Sequence, residues 1–291
     1  IGAVTNIILD PIMILALDMG VKGAAIATTI GNSVSLLFYL GYFLKSHTIL
    51  SISPAQIGMR NGIALGVLSI GIPTFCTNLL MSASNLVLNR YLNQIDVLAT
   101  GGMGIAMKAN MLVVFLQMGI GMGIQPLVGY HYGAGNFKKM SKIMRFSMVC
   151  TMGIGVTLTI LYFIFTEPLV SIFMTADGAA SAADVAIQQG YAVKMLRALM
   201  LSGPFLGLIF VCNFSLQGMG RGLSSLLLSV CRQGFVFLPI LVIANATIGL
   251  DGIILAQPIA DLISVVLALI LAEAAKRRAE RMQQSIQAAK A

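Results

Sequence analysis

Three charged residues, Lys108, Arg232 and Asp261, lie inside long apolar runs of the chain, and Lys194 and Arg197 lie near the outer end of another. A charge in the middle of a lipid-embedded helix costs about 2.5–3.5 kcal/mol even on the lenient insertion scale, so it is kept for a partner or a task. Two chemistries are open to this set. Asp261 can pair permanently with Arg232 or Lys108, or it can exchange those partners for a proton and serve in ion coupling. The static pairing is favoured, because buried pairs are more often satisfied than switched. His47 and His131 are isolated, and Cys76, Cys150, Cys212 and Cys231 sit in apolar runs with no CxxC spacing, so neither a metal site nor a disulfide framework is expected. No His/Asp, Ser/Lys or Glu/His set stands at catalytic spacing, and the chain is not expected to be an enzyme.

Uncharged polar residues add a second pattern. Thr74, Asn78, Ser82, Asn85, Asn89 and Asn93 recur at steps of 4, 4, 3, 4 and 4, which places them on one helix face. Such a face either bonds to neighbouring helices or lines a water-filled cavity, and its length favours the cavity. Asn110, Gln117, Asn213 and Gln217 are added to the same substrate cavity. Met103, Met107, Met111, Met118 and Met122 form a stripe at steps of 4, 4, 7 and 4 among 18 methionines. Packing explains most such stripes; flexible thioethers at Met107 and Met111 also suit a pocket that accepts many shapes. The glycine-rich string from Gly218 to Gly222 lacks the strand and the Lys-Ser/Thr pair of a phosphate loop, and is expected to be a turn.

The elements that position these residues follow from composition. The 291 residues are 58% hydrophobic and only 10% charged, with a mean hydropathy of +0.93. Soluble domains carry about 25% charged residues, so a soluble enzyme, a secreted disulfide scaffold and a disordered hub are all excluded. The runs are continuously apolar rather than alternating, which selects helices over strands. Spans are expected near 20–44, 63–88, 98–127, 142–165, 191–217, 222–246 and 250–273, after a partial apolar segment near 1–17, with a solvated or frayed tail over 274–291. Close helix approach is expected at Gly62/Gly66, Gly119/Gly123 and Gly203/Gly207. Pro73, Pro126, Pro204, Pro239 and Pro258 are candidates for bends.

The net charge of +8 is mostly topological. Twelve of the 18 basic residues, among them Lys45, Arg60, Lys138, Lys139, Lys142, Arg145, Arg221 and Lys276, fall in alternate loops, whereas the loop expected from Thr166 to Gly190 is purely acidic. By the positive-inside rule the C-terminus is expected to be cytoplasmic, in the plasma membrane or bacterial inner membrane. A lipid-headgroup or nucleic-acid patch is the lesser alternative, and no nucleic acid partner is expected.

Residues 19–35 and 248–264 share five identities in seventeen positions: Gly20/Gly249, Gly23/Gly252, Ala27/Ala256, Ile30/Ile259 and Ser35/Ser264. A repeat at this spacing implies that residues 1–44 end one six-helix lobe, that 45–62 is a cytoplasmic linker, that 63–273 is a complete second lobe, and that 274–291 is a basic cytoplasmic tail. The fold class expected is an all-α polytopic membrane protein, truncated at its N-terminus, whose partners are the bilayer and a missing N-terminal lobe of the same polypeptide.

The chain resembles the multidrug and toxin extrusion (MATE) family. The resemblance rests on Asn6-Ile-Ile-Leu-Asp-Pro11, Gly20-Val-Lys-Gly-Ala-Ala-Ile-Ala-Thr28, Gln125 through Asn136, Gln217-Gly-Met-Gly-Arg221, and Arg232-Gln233 followed by Pro239. It implies two six-helix lobes around a central cavity, with export of cationic or amphipathic small molecules by alternating access. Coupling would be to protons or sodium, with no ATP and no cofactor. Spans 63–88 and 191–217 contain no Asp or Glu, unlike members that couple to sodium through this lobe, so the DinF-type branch is the better match. A lipid-linked oligosaccharide flippase of related fold is an alternative that Lys108, Lys194, Arg197 and Arg232 keep open. A structural membrane protein is a second alternative.

Overall fold

The computed structural model describes residues 1–45, 63–174 and 181–288. The linker expected at 45–62 lies outside them apart from Lys45, as do Arg60, Asp177 and Lys290. The chain divides into two compact units, Ile1–Ala64 and Leu65–Ala291. Every described segment that crosses the apolar runs is helical.

The first unit is a helix hairpin. α1 (Gly2–Pro11) runs into a π-helical turn, Ile12–Ala16, and α2 (Gly20–Lys45) returns. Glycine sets the distance between the two arms. A Cβ on Gly31 would lie 2.8 Å from the Gly2 carbonyl oxygen, and one on Gly23 would lie 2.7 Å from that of Met13.

The second unit contains α3 (Ile63–Ile95), α4 (Val97–Gly133), α5 (Phe137–Ile164), α6 (Thr166–Met174), α7 (Ala182–Met200), α8 (Gly203–Gly218), α9 (Gly222–Val230), a π-helical turn at Cys231–Val236, α10 (Phe237–Ile248) and α11 (Leu250–Ala288). α4 packs against α5, α7 and α8, and α11 packs against α8 and α10. The core falls into two clusters, one around Leu92, Ala106, Leu196 and Phe237, the other around Met140, Leu216, Leu228 and Ala268. Large apolar side chains such as Leu86, Phe146 and Phe235 remain outside both, as expected where the solvent is lipid. The loop expected from Thr166 to Gly190 instead holds α6 and the start of α7. Ser181 caps α7 by accepting from the Asp184 amide, which starts a helix that the acidic composition concealed. Within the described residues the tail from 274 continues α11 as far as Ala288.

The single span expected at 191–217 is two helices, α7 and α8, bent by 52°. Pro204 explains the break: it has no amide proton, so the Met200 carbonyl loses its helical donor. In lipid no water replaces it. The Thr159 hydroxyl does so from α5, donating to Met200 O at 3.2 Å, and Gln117 of α4 donates from Nε2 to Gly203 O at 2.8 Å. These bonds require close helix approach. A Cβ on Gly155 would stand 2.7 Å from Gly203 O, and one on Gly207 would stand 2.5 Å from the Thr151 Cβ. Gly203 and Gly207 thus act as expected, whereas Gly66, Gly119 and Gly123 have nothing within 4 Å of a built Cβ; Gly62 lies outside the described residues.

The repeat has a structural counterpart in each unit. Gly20 and Gly249 both adopt positive φ, at 51° and 66°, where a side chain would be strained. Gly23 and Gly252 each press on a carbonyl of the preceding helix, those of Met13 and Ala244, and Ala27 and Ala256 are both fully buried.

Thr159→Val removes the hydroxyl that meets the Met200 carbonyl and should destabilise the protein by about 1–3 kcal/mol, the cost of an unsatisfied buried polar group. Thr157→Val, whose hydroxyl among the described residues bonds only to Gly153 O within its own helix, should be near neutral. Thermal unfolding in detergent distinguishes the two, and equal midpoints would remove Thr159 from the break.

Candidate functional site

α8 meets α9 and the following π turn through an antiparallel polar ladder. Ser225 and Ser229, one turn apart on α9, face Gln217 and Asn213, one turn apart on α8. Gln217 Nε2 donates to Ser225 Oγ at 3.0 Å, the Ser225 hydroxyl donates to Asn213 Oδ1, and Asn213 Nδ2 donates to Ser229 Oγ at 3.3 Å. Arg232 is the next residue on that face, and its guanidinium carbon lies 5.9 Å from the centre of the Phe210 ring on α8.

From there the charge passes to α11. Arg232 Nε donates to Asp261 Oδ1 at 2.7 Å, and Gln257 Nε2 donates to the same oxygen at 3.0 Å. Asp261 is 1% exposed and Arg232 17%, so both charges are largely desolvated and each is matched. Of the two cations open to Asp261, Arg232 is the one paired with it here. Lys108 is on the exposed side of α4. Lys194 instead forms an exposed ion pair with Asp251.

The remaining candidates separate into two groups. Gln117 is fully buried and bonded in a helix contact at the α7/α8 break, and Asn213 and Gln217 are half-buried and bonded in the ladder. Asn78, Ser82, Asn89 and Asn93 of α3 are exposed and Asn85 is half-buried, so that stripe is open along its length. Ser84, which the stripe omits, bonds α3 to the π turn by donating to Gln233 O at 2.7 Å. The methionine stripe is not uniform: Met103 is buried, while Met107, Met111 and Met122 are exposed. Asn110, between Met107 and Met111, has a buried Oδ1 that meets no donor among the described residues. Beside the π turn lies an apolar groove of about 630 Å³ lined by Leu80, Gly234, Phe235, Leu238 and Pro239. Sequence reasoning overlooked Ser225, Ser229 and Gln257, although the i, i+4 spacing of the two serines opposite Asn213 and Gln217 was the available signal.

Long apolar helices, polar residues paired between them and a span broken at proline define an all-α polytopic membrane protein. The MatE family profile matches residues 73–243. The multidrug export protein MepA of Staphylococcus saprophyticus is 30% identical over 270 residues, 93% of this chain and 57% of that protein, and MepA of Staphylococcus aureus is 29% identical over 267 residues, 91% and 56%. The chain therefore spans little more than half the length of these relatives. Among solved structures, an outward-facing multidrug resistance MATE family transporter of the MOP superfamily aligns with a TM-score of 0.85 at 22% identity, covering 96% of this chain and 61% of that one. A MOP superfamily transporter from Pyrococcus furiosus aligns with a TM-score of 0.84, also at 22% identity and the same coverage. The chain belongs to the multidrug and toxin extrusion (MatE) family.

Asp261→Ala leaves the Arg232 guanidinium buried without its counter-charge and should destabilise the protein by about 3–5 kcal/mol, whereas Arg232→Met combined with Asp261→Leu should recover most of that loss. Unfolding midpoints of the three variants test this; a double variant no better than Asp261→Ala would show that the pair is not the interaction lost.

Proposed function

We propose that this chain supplies the C-terminal lobe, and the end of the N-terminal lobe, of a secondary multidrug exporter that moves cationic or amphipathic small molecules outward in exchange for protons or sodium. The open polar face of α3 carries this reading. Four exposed polar residues and one half-buried asparagine along a membrane helix are costly against lipid and are accommodated by a water-filled cavity, whose opposite wall would be the second lobe. The export activity named for the two MepA relatives supports the same direction. Substrate would meet Asn78, Ser82 and Asn85, with Met107, Met111 and Asn110 on α4 as flexible and polar supplements.

In this reading the lobes rock around the cavity, and binding of the coupling ion releases substrate outside. The acceptor of Asp261 is already shared by Arg232 and Gln257, which supports a holding role there and leaves ion coupling to the opposite lobe, as in the DinF-type branch. The concentration of basic residues at the start of α5 and the end of α11 supports a cytoplasmic C-terminus.

Vesicles carrying the intact transporter should move ethidium when a proton gradient is imposed, and gradient-independent flux would remove the coupling claim. Asn78→Leu with Ser82→Leu should lower that flux roughly fivefold to tenfold at unchanged yield, since each lost hydrogen bond is worth about 0.5–1.5 kcal/mol. Unchanged flux would take α3 out of the cavity wall.

A further inference from the structure

A cationic groove of about 520 Å³ lies between the first turns of α5 and the distal part of α11. Lys138, Lys142 and Arg145 line it from α5, at steps of 4 and 3 that keep them on one face, and Lys276 lines it from α11. Glu280 is the single carboxylate in its wall. Lys276 is shared with Glu273 at 3.8 Å, but among the described residues no ion pair includes Lys138, Lys142 or Arg145.

The same groove is apolar at its other end, where Phe146 and Val149 line it at 70% and 71% exposure. Residues 146–164 form an uncharged run of 19, which is about the length that crosses the hydrocarbon core. The turns before Phe146 therefore stand at headgroup level, with the exposed Phe146 and Val149 just inside the acyl region. A ligand matching both ends has a phosphate and an acyl chain.

We infer that this groove binds the anionic headgroup of a phospholipid, with the phosphate held by Lys138, Lys142 and Arg145 and an acyl chain laid along Phe146 and Val149. Basic pockets between membrane helices bind anionic lipid by this combination of charge and depth. The amide donors of the first turn of α5 add to the positive field. The inference is independent of the proposed transport activity, because the groove lies within one unit and needs no substrate.

The test places the protein in nanodiscs of phosphatidylcholine with a minority of phosphatidylglycerol and counts the lipid retained after delipidation by native mass spectrometry. Wild type should retain phosphatidylglycerol selectively, and Lys138→Gln/Lys142→Gln/Arg145→Gln should lower that retention about tenfold or more. Lys139→Gln, one residue away but outside the groove, should retain it, as should the charge-conserving Lys138→Arg/Lys142→Arg/Arg145→Lys. Equal retention by the triple glutamine variant and wild type, or equal loss in Lys139→Gln, would overturn the site. Displacement of the lipid by inorganic phosphate at matched concentration would overturn the lipid in favour of a free anion.

Discussion

Pro204 removes one amide proton from a helix that crosses a medium with no water to replace it, and much of the second unit's packing follows from meeting that single deficit. The donor for Met200 O comes from Thr159 on α5, and the neighbouring Gly203 O is met by Gln117 on α4. Neither side chain reaches unless the backbones come together, which Gly155, Gly203 and Gly207 permit. α4, α5 and the broken span are thus tied at one place by polar bonds in addition to the apolar cluster they share. The 52° bend then directs α8 along α9.

That direction allows the ladder of Gln217, Ser225, Asn213 and Ser229 to run on to Arg232 and Asp261. Each rung joins groups that would be costly in isolation. A fully matched Arg232–Asp261 pair contributes little net stability compared with an apolar pair of the same volume, yet separating its members is expensive. Its effect is therefore on geometry: it specifies which face of the π turn meets α11. A residue inserted at a π turn rotates the following helix by about 100°, and the bond from Arg232 to Asp261 ties the turn to α11 in the rotation observed.

The helical character, order and approximate placement of the apolar runs were legible because continuous apolar runs have few readings at this length; among the described residues five helices, or six with the bent pair, are long and apolar enough to cross a membrane, against seven expected. The repeat was legible for a steric reason, since Gly20 and Gly249 occupy backbone regions that other residues avoid and Gly23 and Gly252 touch backbone. The break at Pro204 was only half legible. The proline marks a site of weakness, but whether a span bends or ends depends on donors 45 and 87 positions away in sequence, at Thr159 and Gln117. For the same reason Gln117 was assigned to a cavity: its residue type announces a need for a partner, and nothing local shows that the partner is the Gly203 carbonyl at a helix break distant in sequence. The helices between Thr166 and Gly190 were hidden because acidic residues in short amphipathic turns resemble a solvated loop.

The polar residues in the spans therefore divide by where their partners are found. Gln117 through its Nε2, and Asn213, Gln217, Arg232 and Asp261, find theirs inside the unit. Asn78, Ser82, Asn89 and Asn93 of α3 are exposed instead. Lipid offers those groups neither donors nor acceptors, so an outward polar face of this length requires water or another polar surface along α3. Composition gives the two groups the same appearance; the location of their partners separates a side chain that holds the lobe together from one that faces what the lobe encloses.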